Sequence, residues 1–186
     1  MPPKVKITKE DIVNTAMEIV RESGESSLNA RTVASILKCS TQPIFSNFAN
    51  MDELSFAVIA KVSALFDDYI RKEIKSGEYP EYKASGMAYI RFAKEEREFF
   101  KLLFMRDRTD ETIPESDPLN AKMESYVQDY TGLDSQNAKL FHLEMWAYVH
   151  GIATMMATRY INLEWELVSK IVTDAYQAHR KLYGME

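Results

Sequence analysis

The segment Ser40–Phe48, with the sequence STQPIFSNF, carries hydrogen-bonding side chains but no formal charge. Surface helices usually carry Lys and Glu, so an uncharged polar stretch needs a different explanation. Hydroxyl and amide groups both donate and accept hydrogen bonds, which allows them to read base edges in the major groove directly or through water. The polar members of this segment are Ser40, Thr41, Gln42, Ser46 and Asn47.

Two short helices joined by a tight turn would position this segment. Asn29 is the predicted N-cap of the first of them, and Ser40 caps the second, whose first turn contains Pro43. Small polar groups on the second helix and a three-residue turn are typical of a helix-turn-helix spanning about 29–48. Four apolar residues are spaced to share one buried face: Val33, Leu37, Ile44 and Phe48.

Helical spacing of apolar residues dominates the rest of the chain, and strand-like alternation is absent at any useful length. Thr8 and Asp11 form a capping box that opens the first helix. Asn50 and Glu53 have the same spacing at the start of a long fourth helix that runs to about Ile74. We therefore predict an all-α protein of about nine helices, three short ones first and six afterwards.

Charge is unevenly distributed along the chain. Residues 1–50 carry a net charge of +1 and the remaining residues −6, while Arg31 to Phe48 contains two basic residues and no acidic one. A polyanion would meet least repulsion here, with Lys6 and Arg31 as predicted phosphate contacts. The lysines of the N-terminal arm are either phosphate contacts or a solvated tail. Phe45 is either a core residue or a contact to the sugar-phosphate backbone or a thymine methyl.

Four segments together carry a resemblance to a known family. ITKEDIVNTAMEIVRESG, LNARTVASILKCST, PIFSNF and NMDELSFAVI match, in order, the DNA-binding domain of TetR-type transcriptional regulators. Farther on, MWAYVHGIATMM resembles a Trp-x-x-x-His-Gly segment found in some members, and REFFKLLF resembles the helix that precedes it.

The resemblance implies an all-helical homodimer that binds double-stranded operator DNA, most simply a repressor released by a small-molecule effector. It implies a DNA-binding domain at 5–63 and an effector-binding and dimerisation domain at 64–186. Four places depart from the family pattern, and one of them is the Gln42-Pro43 pair, which stands where Gly-Thr is frequent. Lys38 stands where Gly is frequent at a turn that favours positive φ, Phe45 stands where Tyr is usual, and Met51 stands where Lys is common.

Trp146 and His150 lie one helical turn apart and leave two interpretations open. One is a core tryptophan with a hydrogen-bonded histidine. The other is the border of an effector pocket that also includes Tyr89, Phe92, Phe104 and Met155. Abundant aromatic and Met side chains, together with surplus acidic charge, favour an apolar or cationic effector, although surface acids alone would give the same composition.

The last helix is more amphipathic than a monomer needs, which favours an isologous dimer interface over a purely internal face. The predicted interface residues are Ala153, Met156, Tyr160, Val168, Val172, Ala175, Tyr176 and His179.

Other classes of function have little support. One cysteine and three histidines provide neither a disulfide framework nor a soft-metal site, and no nucleophile motif or phosphate-binding Gly-rich loop occurs. We therefore expect no enzyme activity and no cofactor. Without a signal-type or membrane-spanning apolar run, we expect a cytoplasmic protein that does not contact membranes. The alternative function is a helical ligand-binding or protein-interaction module with a weakened DNA-binding domain.

Overall fold

The computed structural model describes residues 7–107 and 118–185, with side chains from 121 onward in the second range. These residues form nine α-helices and one short 3-10 turn, and no β-strand occurs among them. The all-α prediction is confirmed. The helices are α1 (Lys9–Ser23), α2 (Ala30–Ile36), α3 (Gln42–Asn47), α4 (Met51–Ser76), α5 (Glu81–Glu95), α6 (Arg97–Phe104), α7 (Pro118–Thr131), α8 (Ser135–Ala157) and α9 (Trp165–Leu182).

The chain divides into two compact units. The first runs up to Asp67 and also contains Glu96–Arg106, and the second contains Asp68–Glu95 and the described residues from Asp107 onward. Within the described ranges, no helix combines the length and the hydrophobicity required to cross a lipid bilayer.

In the first unit, α1 begins at the capping box predicted from the sequence. The Thr8 hydroxyl accepts the Asp11 N–H at 3.1 Å, and the Asp11 carboxylate accepts the Thr8 N–H at 2.9 Å. The pairing satisfies backbone donors that the helix itself cannot. The apolar face of α1 then packs against α2, α3 and α6, with Ile12, Ala16 and Val20 inaccessible to solvent.

Arg21 fastens α6 to α1 within this unit. Its Nε and Nη2 atoms donate to the two carboxylate oxygens of Glu96 at 3.0 and 3.1 Å, and its guanidinium lies 5.0 Å from the ring centre of the buried Phe99. A bidentate ion pair of this kind fixes orientation as well as contact. Periodicity alone did not predict this pairing, because the two helices are far apart in the sequence.

In the second unit, α8 packs against α5, α7 and α9. Fully buried side chains include Met87, Ile90 and Phe92 on α5 and Phe141 on α8. The last part of α4 is joined to α5 by an ion pair, in which Arg91 donates to the buried Glu73 at 3.1 Å.

Candidate functional site

The turn between α2 and α3 has a conformation that favours glycine but contains lysine. The N–H of Cys39 bonds to the carbonyl of Ala34 at 2.9 Å, and the N–H of Lys38 bonds to that of Ser35 at 3.2 Å. These two bonds form a Schellman motif, whose central residue adopts positive φ. Lys38 has a φ of 52°, so the sequence-based expectation of positive φ at this position is confirmed.

The caps of the two helices were predicted with mixed success. Asn29 caps α2 as expected, because its side chain accepts the Thr32 N–H at 3.0 Å. The prediction that Ser40 caps α3 is wrong, since the N-cap is Thr41, which makes no side-chain cap bond. Thr41 already has helical dihedral angles, with φ −72° and ψ −12°, so its hydroxyl is not in the extended geometry that a cap requires.

Both short helices bury apolar side chains, and each of them packs against α1. Val33 and Ile44 are completely buried, and Phe48 is 2% exposed. Leu37, which was predicted to join this face, is only partly buried. This burial fixes the position of α3 and therefore of the side chains on its opposite face.

Gln42, Phe45, Ser46 and the preceding Ser40 are exposed on α3 and its entry, while Thr41 and Asn47 are half-buried. Two of these polar groups already bond within their own helix. The Ser46 hydroxyl donates to the carbonyl of Gln42 at 2.8 Å, and the Asn47 amide donates to the carbonyl of Pro43 at 2.8 Å. Gln42 thus offers the most complete set of unused donors and acceptors on this face.

Phe45 lies outside the core, with half of its surface exposed. Of the two interpretations from the sequence, the structure favours an outward-facing ring. Single exposed hydrophobic side chains are common on protein surfaces, so the exposure of Phe45 alone does not define a contact surface.

The basic residues near α3 differ in availability. Arg31 and Lys38 are exposed, and Lys6 lies outside the described residues. Lys9 is engaged at the start of α4, where its ammonium lies 3.3 Å from a carboxylate oxygen of Glu53 and 4.6 Å from the ring centre of Phe48.

The first turn of α4 carries its own negative charge. The Asn50 side chain accepts the Glu53 N–H at 2.9 Å, and the Glu53 carboxylate accepts the Ala49 N–H at 2.7 Å. The Asn50 half of the predicted capping box is therefore formed, whereas the Glu53 carboxylate bonds one residue earlier than predicted, at Ala49. The Ala49 N–H, followed by Lys9, lowers the pKa of Glu53 below its ordinary value. An ionised Glu53 next to Asp52 opposes a phosphate at this helix end.

A second candidate site lies in the second unit, where Tyr89, Trp146 and His150 meet. The Tyr89 hydroxyl is 2.8 Å from His150 Nδ1, and the Trp146 ring stacks on the imidazole with centres 4.9 Å apart and planes 16° apart. The ring of Trp146 remains 38% exposed. Partial burial lowers the pKa of His150, so its neutral form is favoured.

The other residues predicted to bind a ligand differ in burial and in their ring contacts. Phe92 is fully buried with its ring centre 5.3 Å from that of Tyr69, and Met155 is half-buried on α8. Phe104 belongs to the first unit, where its ring centre lies 5.2 Å from those of Phe66 and of Phe100.

The residues predicted for the dimer interface mostly serve the interior of one subunit. Ala153, Met156, Val168 and Val172 are buried within the chain, because α8 packs its own apolar side against neighbouring helices. Tyr160 is exposed, and Ala175, Tyr176 and His179 are half-buried. The rings of the last two pack against Phe141 with centres 5.7 and 6.0 Å apart.

Different apolar side chains of α8 and α9 face outward. On α8 they recur at helical spacing together with Gly151. A Cβ added at this glycine would meet no neighbouring atom within 4 Å. The α8 stripe consists of Leu140, Leu143, Ala147 and Gly151, and the α9 stripe consists of Leu167, Ile171, Ala178 and Leu182.

The sequence did not predict one hydrogen-bonded pair of side chains. The Tyr82 hydroxyl lies 3.0 Å from His142 Nδ1, which repeats on the same two helices the contact of Tyr89 with His150. Burial lowers the pKa of His142 and raises that of Tyr82. Tyr82 and Tyr89 lie seven residues apart and His142 and His150 eight residues apart, which was the available signal, but each Tyr–His pair joins residues about sixty positions apart. Elsewhere in the described ranges, no three His, Cys, Asp or Glu side chains converge as a metal site would need.

The chain resembles known proteins both in sequence and in fold. Residues 82–173 match the family described as tetracyclin repressor-like, C-terminal domain. No curated protein sequence matches the chain. A TetR-like transcriptional regulator from Rhodococcus sp. RHA1 has a similar structure, with a TM-score of 0.70 and 14% identity over 99% of both chains.

Two further solved structures share the fold. The multidrug binding protein EbrR, complexed with imidazole, gives a TM-score of 0.56 and 17% identity over 90% of this chain and 88% of its own. A TetR family member from Streptomyces coelicolor A3 gives 0.59 and 15% identity, over 90% and 96%. These findings confirm the predicted resemblance to TetR-type regulators, in sequence over residues 82–173 and in fold over the chain.

Proposed function

We propose that this TetR-like protein is a transcriptional repressor that binds operator DNA as a homodimer and leaves it when a small-molecule effector binds. The observation that carries the proposal is the outward face of α3, where Gln42 and Phe45 project from a helix anchored by the buried Ile44 and Phe48. Residues 5–63 act as the DNA-binding domain, and 64–186 bind the effector and dimerise.

Base reading is assigned to the polar groups of α3. Gln42 can bond bidentately to adenine in the major groove, and Phe45 can contact a thymine methyl or the sugar-phosphate backbone. Thr41, Ser46 and Asn47 supply shorter or water-mediated contacts, because Ser46 and Asn47 use one donor within the helix.

Affinity without sequence preference comes from phosphate contacts. Arg31 in the first turn of α2 and Lys38 just after its end are exposed, and both are assigned to phosphate contacts. Lys6 on the N-terminal arm adds a third contact. Ser40, at the entry to α3, contributes a hydroxyl to phosphate or base.

Dimerisation is assigned to the exposed stripes of α8 and α9 defined above. Leu143 is 57% exposed, and Gly151 lets a second helix approach α8 closely. Packing one copy of α8 and α9 against another would create a four-helix interface with isologous symmetry. Two α3 helices would then meet successive major grooves about 34–36 Å apart.

The effector site is assigned to Trp146, His150 and Tyr89. The partly exposed indole offers an apolar face that also attracts cations, and the imidazole of His150 is stacked against it. The fold relative EbrR is named for multidrug binding, which accords with an apolar or cationic effector here. An effector with higher affinity for a conformation unable to span two grooves would weaken DNA binding by linkage.

A second candidate function is a helical ligand-binding module with weakened DNA binding. The acidic first turn of α4, with Asp52 and Glu53 after Met51, favours it because this turn repels rather than attracts a phosphate. The two functions differ in a simple measurement, namely whether the protein selects a DNA sequence.

The experiment is selection from a random duplex pool with the full-length protein, followed by binding titrations on the enriched sequence. The repressor function predicts enrichment of an inverted repeat whose half-sites lie about one helical turn apart. Recovery of no shared sequence, together with tight binding of an aromatic cation, would instead support the ligand-binding module.

A further inference from the structure

The ammonium group of Lys83 on α5 contacts hydroxyl groups and not a carboxylate. Its ammonium nitrogen lies 2.7 Å from the Ser169 hydroxyl and 2.9 Å from the Thr173 hydroxyl, both on α9. It also sits 4.5 Å from the ring centre of Tyr79. No carboxylate of the described residues forms an ion pair with it.

Two lysines with carboxylate partners provide the contrast. Lys101 Nζ lies 2.7 Å from Glu98, and Lys122 Nζ lies 2.7 Å from Glu81. A carboxylate stabilises the ammonium form, whereas a hydroxyl accepts an N–H bond from the charged ammonium and the neutral amine alike. Lys83 therefore loses water on partial burial without gaining a carboxylate in direct contact.

The titration of Lys83 agrees with this geometry. Desolvation lowers its pKa below the ordinary lysine value, and the charge of Glu78 opposes the shift without cancelling it. The Tyr79 ring also favours the ammonium, yet the net shift of the Lys83 pKa is still downward. Lys83 remains partly accessible to solvent, so a small reagent can reach it.

We propose that Lys83 is a site of Nε-acylation by small acyl phosphates. The amine lone pair attacks the acyl carbon, an amide C–N bond forms, the C–O bond to phosphate breaks, and inorganic phosphate leaves while the amine proton passes to solvent. The acylated nitrogen is uncharged and retains one N–H. It can bond to only one of the two hydroxyls, so acylation weakens the tie between α5 and α9.

The experiment uses acetyl phosphate on the full-length protein and follows acetylation of each lysine over time by peptide mass spectrometry. Lys83 is expected to react several-fold faster than Lys101 and Lys122 in the same sample. Ser169→Asp places a carboxylate beside the amine and should slow Lys83 to the rate of those two lysines. Ser169→Asn introduces a side chain of nearly the same shape as Asp but without its charge, so the acetylation of Lys83 should remain fast.

Equal rates for Lys83 and Lys101 in the wild-type protein would overturn the proposal, as would an undiminished rate in Ser169→Asp. If Ser169→Asp does not fold, the wild-type pH-rate profile decides. The acetylation rate of Lys83 should reach its plateau at a lower pH than that of Lys101, and coincident profiles would overturn the proposal. Neither outcome depends on DNA binding.

Discussion

Tyr89 and His150 are joined by a hydrogen bond of 2.8 Å between the phenol oxygen and Nδ1, and Trp146 covers the same imidazole. If the phenol donates, the neutral ring carries its proton on Nε2, which lies 3.4 Å from the Thr154 hydroxyl. Protonation of His150 therefore requires the Tyr89 contact to reverse its polarity and places a cation on the indole face.

Trp146 fluorescence should report this protonation. In a Trp165→Phe variant, emission should fall as the pH decreases, because an imidazolium stacked on indole quenches it. The midpoint should lie below 6.5, since burial lowers the pKa of His150 from that value. The control is His150→Gln in the same background, in which the transition should disappear. A midpoint at or above 6.5 would contradict the described stack.

Thermal stability should also fall in mild acid. The folded-state pKa values of His142 and His150 lie below the unfolded value of 6.5, so the unfolded chain binds more protons. Their contribution to stability is complete above pH 6.5 and decreases as the pH falls toward the folded-state values. The Tm at pH 7.5 and 5.5 measures this loss, which should be smaller in His142→Gln than in the wild type. An equal loss in both proteins would assign the pH dependence to other groups.

Replacing Lys38 should raise stability. With φ at 52°, a side chain strains the turn, and Lys38→Gly should increase the free energy of unfolding by about 1 kcal/mol, or Tm by roughly 2–4 °C. Lys38→Ala removes the charge but keeps the Cβ, so it should show no comparable gain. Chemical denaturation of the three proteins makes the comparison, and a loss of stability in Lys38→Gly would count against the strained turn.

The exposed stripe of α8 should control association. Leu143→Glu places a charge at the centre of the proposed interface and should convert a dimer into a monomer, which sedimentation velocity measures directly. Phe56→Glu changes an equally exposed apolar residue of the first unit and should leave the mass unchanged. A monomeric wild type, or a dimeric Leu143→Glu, would contradict the assigned interface.

Local signals in the sequence predicted the all-α fold and the caps at Thr8 and Asn29, because capping depends on residues only three positions apart. Positive φ at Lys38 followed from its place in a turn. The start of α3 was misplaced, since neighbouring Ser40 and Thr41 have equal capping potential and only backbone geometry distinguishes them.

Packing between distant segments was harder to predict from the sequence. Val168 and Val172 form an apolar face whose periodicity is the same whether their own chain or a partner covers it, and here their own chain does. The Arg21–Glu96 clamp and the Tyr82–His142 pair join distant segments, which no periodic pattern connects.

That α3 reads base edges is best examined by measuring the affinities of the wild type and of Gln42→Ala for a selected operator and for a random duplex. The wild type should prefer the operator, with an affinity that decreases steeply with salt. Gln42→Ala should lose about 1–3 kcal/mol of discrimination without changing the salt slope, whereas Arg31→Ala should weaken both duplexes alike and reduce the slope. Unchanged discrimination in Gln42→Ala, or equal wild-type affinity for both duplexes, would contradict the claim.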